Sequence, residues 1–229
     1  MSIKAIFLDF YGTVVHDVGE VIYEVSLEIQ AASSIKDISI TEIATYWWNQ
    51  FYHLFTKSYG VNFLSQRQVE IISIQKTLTH FQAPLDALIL SEKMFDQWKR
   101  PTMYADAISF FAIVDLPVYI LSNVDREELM EALKYHEIEV NGVITSEDVR
   151  SYKPRPDMFE EALRLGKVRA EEVLHVGDSL TQDVLGAQKL GIKSVWLNRN
   201  NQMSLNEIEP DFVVNDLTDV ISLWNRVNV

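Results

Sequence analysis

The sequence predicts an α/β protein in which a Rossmann-like, mainly parallel sheet forms the core and an all-helical cap domain is inserted into it. Short apolar runs rich in β-branched residues recur at 3–8, 117–121, 142–145, 172–176, 194–197 and 211–214. Such runs, lacking polar alternation, suit strands buried on both faces of a helix-covered parallel sheet. Most are separated by segments of helical periodicity, the pattern of βα units. The third observation is a gap: from about residue 20 to residue 99 there is no strand candidate, only four amphipathic helices. A crossover between parallel strands needs only on the order of a dozen residues, so this stretch makes a bundle of its own. The expected division is a core of residues 1–15 and 100–229 and a cap of residues 16–99.

In chain order, the first strand, in "IKAIFLDF", stops at Asp9. In the second inserted helix Ser39 and Glu42 have capping-box spacing, and Ile40, Ile43, Trp47, Phe51 and Leu54 share one stripe. The next helix covers 65–81, with Ser65 and Gln68 in the same capping spacing, and the last covers 86–99, turning Leu90, Met94, Phe95 and Trp98 inward. The runs "PVYIL", "GVIT", "EVLHV", "SVWL" and "DFVV" then complete the sheet. The aromatic stretch "YWWNQFYHLF" at 46–55 sets Trp48 and Tyr52 on the flank of the apolar stripe. Most of its rings are expected in the cap core, and a minority in a substrate pocket or a dimer contact.

With 229 residues, 48% hydrophobic and 23% charged, the chain can bury a sizeable core. A formal charge of -13 repels nucleic acid phosphates and anionic membrane surfaces. No nucleic acid and no membrane partner is therefore expected, and an anionic substrate needs a local positive site. The absence of cysteine excludes disulfides, thiolate nucleophiles and thiolate metal sites. The first apolar run is too short for a signal-peptide core or a spanning helix, and a cytoplasmic location is expected.

Open parallel sheets bind ligands beyond the carboxyl ends of their strands. There the sequence places Asp9 after the first strand, Ser122 and Asn123 at the end of the second, and Gly177, Asp178 and Ser179 after the fourth. Lys153, in "SYKPRPD", follows the third strand by a short loop, and Asp183 lies just beyond Asp178. Each alone has an ordinary explanation. Asp, Ser and Asn end strands and cap helices, an isolated Lys is a solvated loop charge, and Asp183 suits the first turn of a helix. Together they suit phosphoryl transfer. Asp9 can attack phosphorus, and Asp9 with Asp178 can share a Mg²⁺. Lys153 can neutralise the nucleophile and the transferring oxygens, while Ser122 and adjacent amides hold the remaining oxygens.

Taken in order, "FLDFYGTVV", "ILSNVD", "YKPRPDMF" and "HVGDSLTQD" resemble the four motifs of the haloacid dehalogenase superfamily, specifically members with a helical cap inserted after the first motif. The resemblance covers essentially the whole chain and implies a Rossmannoid core whose mobile cap closes over the site. It implies Asp9 as nucleophile, Thr13 as support of the nucleophile loop beside the phosphate, Ser122 and Asn123 as contacts to the phosphate or leaving group, and Lys153 as the site cation. It further implies Asp178 as a direct Mg²⁺ ligand with Asp183 behind it, and the backbone carbonyl of Tyr11 as another ligand. The activity implied is hydrolysis of a small phosphorylated metabolite through an aspartyl phosphate.

Tyr11 departs from the phosphatase pattern, in which an Asp two residues after the nucleophile protonates the leaving oxygen and then activates water. A Tyr there resembles the 2-haloacid dehalogenase branch, which expels halide without a metal. That branch, however, has Ser and Asn where this chain has "GDSLTQD", a Tyr where this chain has Phe159, and a cap Arg where residues 19–66 contain none. Asp178 beside Asp9 would also be costly without a cation. A Mg²⁺-dependent phosphatase is the expectation, with a dehalogenase or a weakly active, non-catalytic binding member of the fold as alternatives. Without the acid, a phosphatase should be slower by about 10²- to 10⁴-fold, least so for acyl and aryl phosphates. Tyr11 can donate a proton but, with a reference pKa of about 10, is a poor base. His16 is a nearby substitute or, more simply, a solvated loop residue.

Overall fold

The computed structural model describes residues 2–17, 19–203 and 207–227, so residues 1 and 229, the outer limits of the expected core, lie outside it. Six strands, β1 (Ala5–Leu8), β2 (Val118–Ser122), β3 (Gly142–Thr145), β4 (Val173–Gly177), β5 (Lys193–Leu197) and β6 (Phe212–Val214), form one sheet in the order β3-β2-β1-β4-β5-β6. Every pairing is parallel. Each strand overlaps one of the apolar runs that predict it. The order reverses between β1 and β4, which opens a crevice at the carboxyl end of β1.

Between β1 and β2, ahead of the helix that leads into β2, lie α1 (Gly19–Ala32), α2 (Ile40–Lys57), α3 (Gln66–His80) and α4 (Ala87–Lys99). Their inward faces make a core of their own, built on Ile29, Ile43, Trp47, Ile74, Phe95 and Trp98. Helices α2 and α3 begin at the expected capping boxes of Ser39 with Glu42 and Ser65 with Gln68. The buried face of α2 keeps the expected stripe, with Ile43 and Trp47 buried and Ile40, Phe51 and Leu54 half-buried, and extends it to Phe55. It follows the row Ile43, Trp47, Phe51 and Phe55, spaced by four along a helix ridge, with Phe51 half-buried. Leu54 and Phe51 pack with Phe55 in a small cluster that includes Val69 and Tyr152.

The sheet is covered on one side by α5 (Ala105–Ile113), α6 (Arg126–Tyr135) and α10 (Leu217–Val227), and on the other by α8 (Asp157–Gly166) and α9 (Leu185–Gln188); the short α7 (Ser146–Val149) follows β3. Strand periodicity divides β1 between these layers, with Ile6 and Leu8 packed on the first and Ala5 and Phe7 on the second. No helix among the described residues is long and apolar enough to cross a membrane.

Polar contacts seat the inserted helices on the strand-end loops. Asp125 precedes α6, yet its carboxylate accepts from the backbone N–H groups of Gln66 and Arg67 at 2.8 and 3.0 Å, capping α3. The Tyr152 hydroxyl donates to the Leu64 carbonyl at 2.8 Å. Arg67 pairs with buried Glu128 and lies 4.0 Å over the Phe95 ring.

Candidate active site

The loop after β1 places a carboxylate in the crevice. Asp9 is 7% exposed, and its backbone N–H still donates to Val176 in β4 at 2.9 Å. Gly12 then turns the chain at φ 86, and a Cβ there would lie 2.5 Å from Asp178 Oδ2. Only glycine permits this backbone and this approach. The Thr13 hydroxyl donates to Asp9 Oδ2 at 2.9 Å, and Lys153 Nζ donates to Asp9 Oδ1 at 2.7 Å.

Lys153 is the centre of the charge network. Its side chain is 1% exposed, and Nζ also donates to Asp183 Oδ1 at 2.6 Å. One π-helical turn over Leu180–Val184 swings Asp183 back beneath β4. There it accepts from the Ser179 backbone N–H at 3.1 Å and faces His175 Nε2 at 3.1 Å. Burial keeps the His175 pKa below its usual value, against the pull of Asp183, so the ring is neutral and donates from Nε2.

Gly177 makes room for this arrangement, since a Cβ on it would fall 2.3 Å from Asp183 Cγ. Gly177→Ala is accordingly expected to cost about 1–3 kcal/mol. Thermal denaturation checks this: an unchanged melting temperature would show that Asp183 has slack.

The electrostatics follow from three carboxylates around one ammonium. Asp9, Asp178 and Asp183 present oxygens within 4.8 Å of one another. Burial raises the Asp9 pKa to about 6; Lys153 opposes the shift and Asp183 adds to it. Burial also penalises ionised Asp183, but Lys153 and His175 outweigh it and hold the group at about 2. Enclosure in the cleft and the Asp9 and Asp183 charges push Asp178 up. Burial lowers the Lys153 pKa, yet Asp183 and Asp9 more than offset it, so the group is held above its ordinary value and stays charged.

Of the other predicted residues, Ser122 lines the cavity, with its hydroxyl oxygen accepting from the Val124 N–H at 3.3 Å. The Asn123 side chain joins loops: Oδ1 accepts from the Lys153 N–H at 2.8 Å and Nδ2 donates to Gln182 Oε1 at 2.9 Å. The Tyr11 hydroxyl donates to the Trp98 carbonyl at the end of α4, at 2.6 Å, and burial holds its pKa well above the usual 10. His16 stacks on Tyr104, the ring centroids 3.8 Å apart, and is not among the residues lining the cavity.

Some supports carry no motif. Arg199, beyond β5, donates to the Thr13 carbonyl at 2.7 Å and to Asp106 at 3.0 Å, with its guanidinium 3.8 Å over the Tyr104 ring. It braces the loop that carries Asp9 from behind. The Trp196 indole N–H donates to the Asp178 carbonyl at 2.9 Å. The position of Arg199 and Trp196 at the end of β5 is the one sequence signal that points to them.

A cavity of about 410 Å³ joins these strand ends to the inserted helices, with Asp9, Ser122 and Asp178 at one end and Trp47, Phe55 and Glu70 among its other walls. Carboxylates and a lysine gathered at the carboxyl ends of a wholly parallel sheet, opening into such a cavity, place the protein among Rossmann-like α/β folds with a polar strand-end site. More narrowly, the chain belongs to the haloacid dehalogenase-like hydrolases, whose family model matches residues 3–191. It is 34% identical over 145 residues to the phosphoserine phosphatase of Thermus thermophilus, covering 60% of this chain and 57% of that one. It is 33% identical over 88 residues to the pyrophosphatase PpaX of Bacillus mycoides, covering 38% of this chain and 40% of the relative. These alignments thus span about half the length of the relatives or less. In fold it is similar to an L-2-haloacid dehalogenase, with a TM-score of 0.79 over 98% of this chain and 100% of the other, at 20% identity.

Proposed function

We propose that the protein is a Mg²⁺-dependent phosphatase acting on a small phosphorylated metabolite through an aspartyl phosphate on Asp9, with residues 16–99 as the cap over its site. The observation that carries this proposal is the charge balance. Three clustered carboxylates face one lysine, a donor set short of positive charge and rich in oxygen, which suits a hard divalent cation. Asp9, Asp178 and the Tyr11 carbonyl would hold the ion, with Asp183 behind them. When bound, Mg²⁺ would supply neutralisation of phosphoryl charge.

Asp9 attacks phosphorus, the bond from phosphorus to the leaving oxygen breaks, and that oxygen departs with the electron pair. Lys153 and Thr13, one on each carboxylate oxygen, orient the nucleophile and prevent its rotation. The Ser122 hydroxyl donates to a phosphoryl oxygen. Water then attacks the phosphorus of the aspartyl phosphate, its proton passes to solvent, and phosphate and the Asp9 carboxylate are released. Tyr11 contributes its carbonyl and anchors the loop to Trp98. Its hydroxyl, already donated to that carbonyl, leaves the departing oxygen without an acid, so leaving groups of low pKa are favoured.

Dehalogenation fits less well. Among the described residues no Lys, Arg or His lines the cavity, so the carboxylate of a 2-haloacid would have no cationic partner in its wall. The likeness to the haloacid dehalogenase, at 20% identity, concerns the fold that both activities share.

The test pairs a panel of phosphate esters and acyl phosphates with a panel of 2-chloro acids, each with and without Mg²⁺. Mg²⁺-dependent phosphate release is expected, and metal-independent halide release would sink the proposal. Tyr11→Asp should raise hydrolysis of alkyl phosphates, by as much as about 10²-fold. An unchanged rate would mean that another group already handles the proton.

A further inference from the structure

Resting on that phosphatase assignment, we propose that Glu70 and Gln66 form a subsite for an organic ammonium group, and that the preferred substrate is an aryl phosphate carrying such a group at its far end. Glu70 is 3% exposed. It lies one turn after Gln66 on α3, so both side chains share a helix face, and both line the cavity that holds Asp9. Glu70 Oε1 and Gln66 Oε1 are buried acceptors with no hydrogen-bond partner. Buried acceptors are ordinarily satisfied. By contrast, neighbouring Asp125 is anchored by two backbone N–H groups of this same helix.

The chemistry of the walls selects what would fill the gap. The acidic residues lining the cavity are Asp9, Asp17, Glu70 and Asp178, with no cation among the described lining residues, so a second anionic group on the substrate is disfavoured. Trp47, Trp48, Phe51, Tyr52 and Phe55 of α2 supply aromatic surface beside Glu70, a setting that attracts both a flat ring and a cation. Burial raises the Glu70 pKa to about 8, and the Trp47 indole only partly offsets it. An arriving ammonium would supply the counter-charge that the wall lacks. The leaving group completes the assignment: with no acid at Tyr11, a phenolic oxygen departs more readily than an alkoxide.

Three phenyl phosphates differing only in the para substituent, 2-aminoethyl, ethyl or 2-carboxyethyl, test the substrate class on the wild-type enzyme. The expected order of kcat/KM is amino, ethyl, carboxyethyl, with at least a tenfold advantage of amino over ethyl. In Glu70→Gln, of nearly the same size, that advantage should collapse toward unity through KM. Equal rates for the amino and ethyl esters, or a variant that keeps the full advantage, would overturn the proposal. Binding is read separately by quenching of tryptophan fluorescence with 2-phenylethylammonium, with 2-phenylethanol as the neutral control. Saturable, Glu70-dependent binding of the ammonium without turnover of any ester would refute the phosphatase and leave the subsite standing. Turnover with no preference for the cation over the alcohol would refute the subsite alone.

Discussion

Asp9→Asn is expected to abolish phosphate release, lowering kcat by at least about 10⁴-fold, while raising the melting temperature in metal-free buffer. The amide keeps the size of the carboxylate; its one oxygen still accepts from Lys153 and its NH2 can donate to the Thr13 hydroxyl, but it cannot attack phosphorus. Its effect on stability follows from the shifted pKa. Burial, with Asp183 adding and Lys153 opposing, moves Asp9 from 3.8 to about 6, so the folded chain binds this proton more tightly than the unfolded one. Stability tied to Asp9 is therefore fully present below about pH 4 and is lost as pH rises through about 6. At neutral pH the ionised group opposes folding, and Asn removes that opposition, as often happens when a functional group is deleted. Denaturation scans from pH 4 to 8 check both parts. A melting temperature below that of the wild type at pH 7 would mean that the ion pair with Lys153 outweighs the burial penalty.

The sheet is legible because strands buried on both faces must be apolar throughout, and "AIFL", "VYILS" and "VLHVG" are nearly so. The inserted helices are legible from their caps: Ser39 and Ser65 each announce a helix start three residues ahead of the side chain that answers it. The site is legible as a set of strand ends, since parallel topology brings Asp9, Ser122 and Asp178 together whatever lies between them. Side-chain direction is not. Tyr11 reads as a phenol beside a nucleophile, and only α4, some 87 residues away, takes its hydroxyl. Glu70 reads as an ordinary charge on an amphipathic helix, until the cavity wall buries it with its Oε1 unpartnered. His175 is hidden inside an apolar strand, and its contact with Asp183 depends on a π turn that no local signal predicts. What escapes the sequence is settled by packing between distant elements.

Lys153→Met is expected to be the most destabilising single change at the site, by about 3–5 kcal/mol and on the order of 10 °C in melting temperature, with kcat lowered at least about 10²-fold. Methionine replaces most of the buried stem, so the loss reports chiefly on the charge. In the wild type, Asp183 sits at about 2 because Lys153 and His175 outweigh the burial that would raise it. Its contribution to stability is present above the ordinary 3.8 and is lost only as pH falls through about 2. Lys153, raised by Asp183 and Asp9 against its own burial, contributes below its ordinary 10.5, and its share is lost only as pH rises through the folded value. Neither group limits wild-type stability between pH 5 and 8. Without the ammonium, Asp9 and Asp183 face each other across a buried gap, and both hold their protons to higher pH. The deficit of the variant should then be largest near pH 8 and shrink toward pH 5 as the carboxylates are neutralised. Added Mg²⁺ should recover part of it, since a ligand that binds only the folded carboxylate cluster stabilises by mass action. A deficit equal at every pH and indifferent to Mg²⁺ would assign the loss to packing, and Lys153 would then be a filler of the core rather than the counter-ion around which the three carboxylates are arranged.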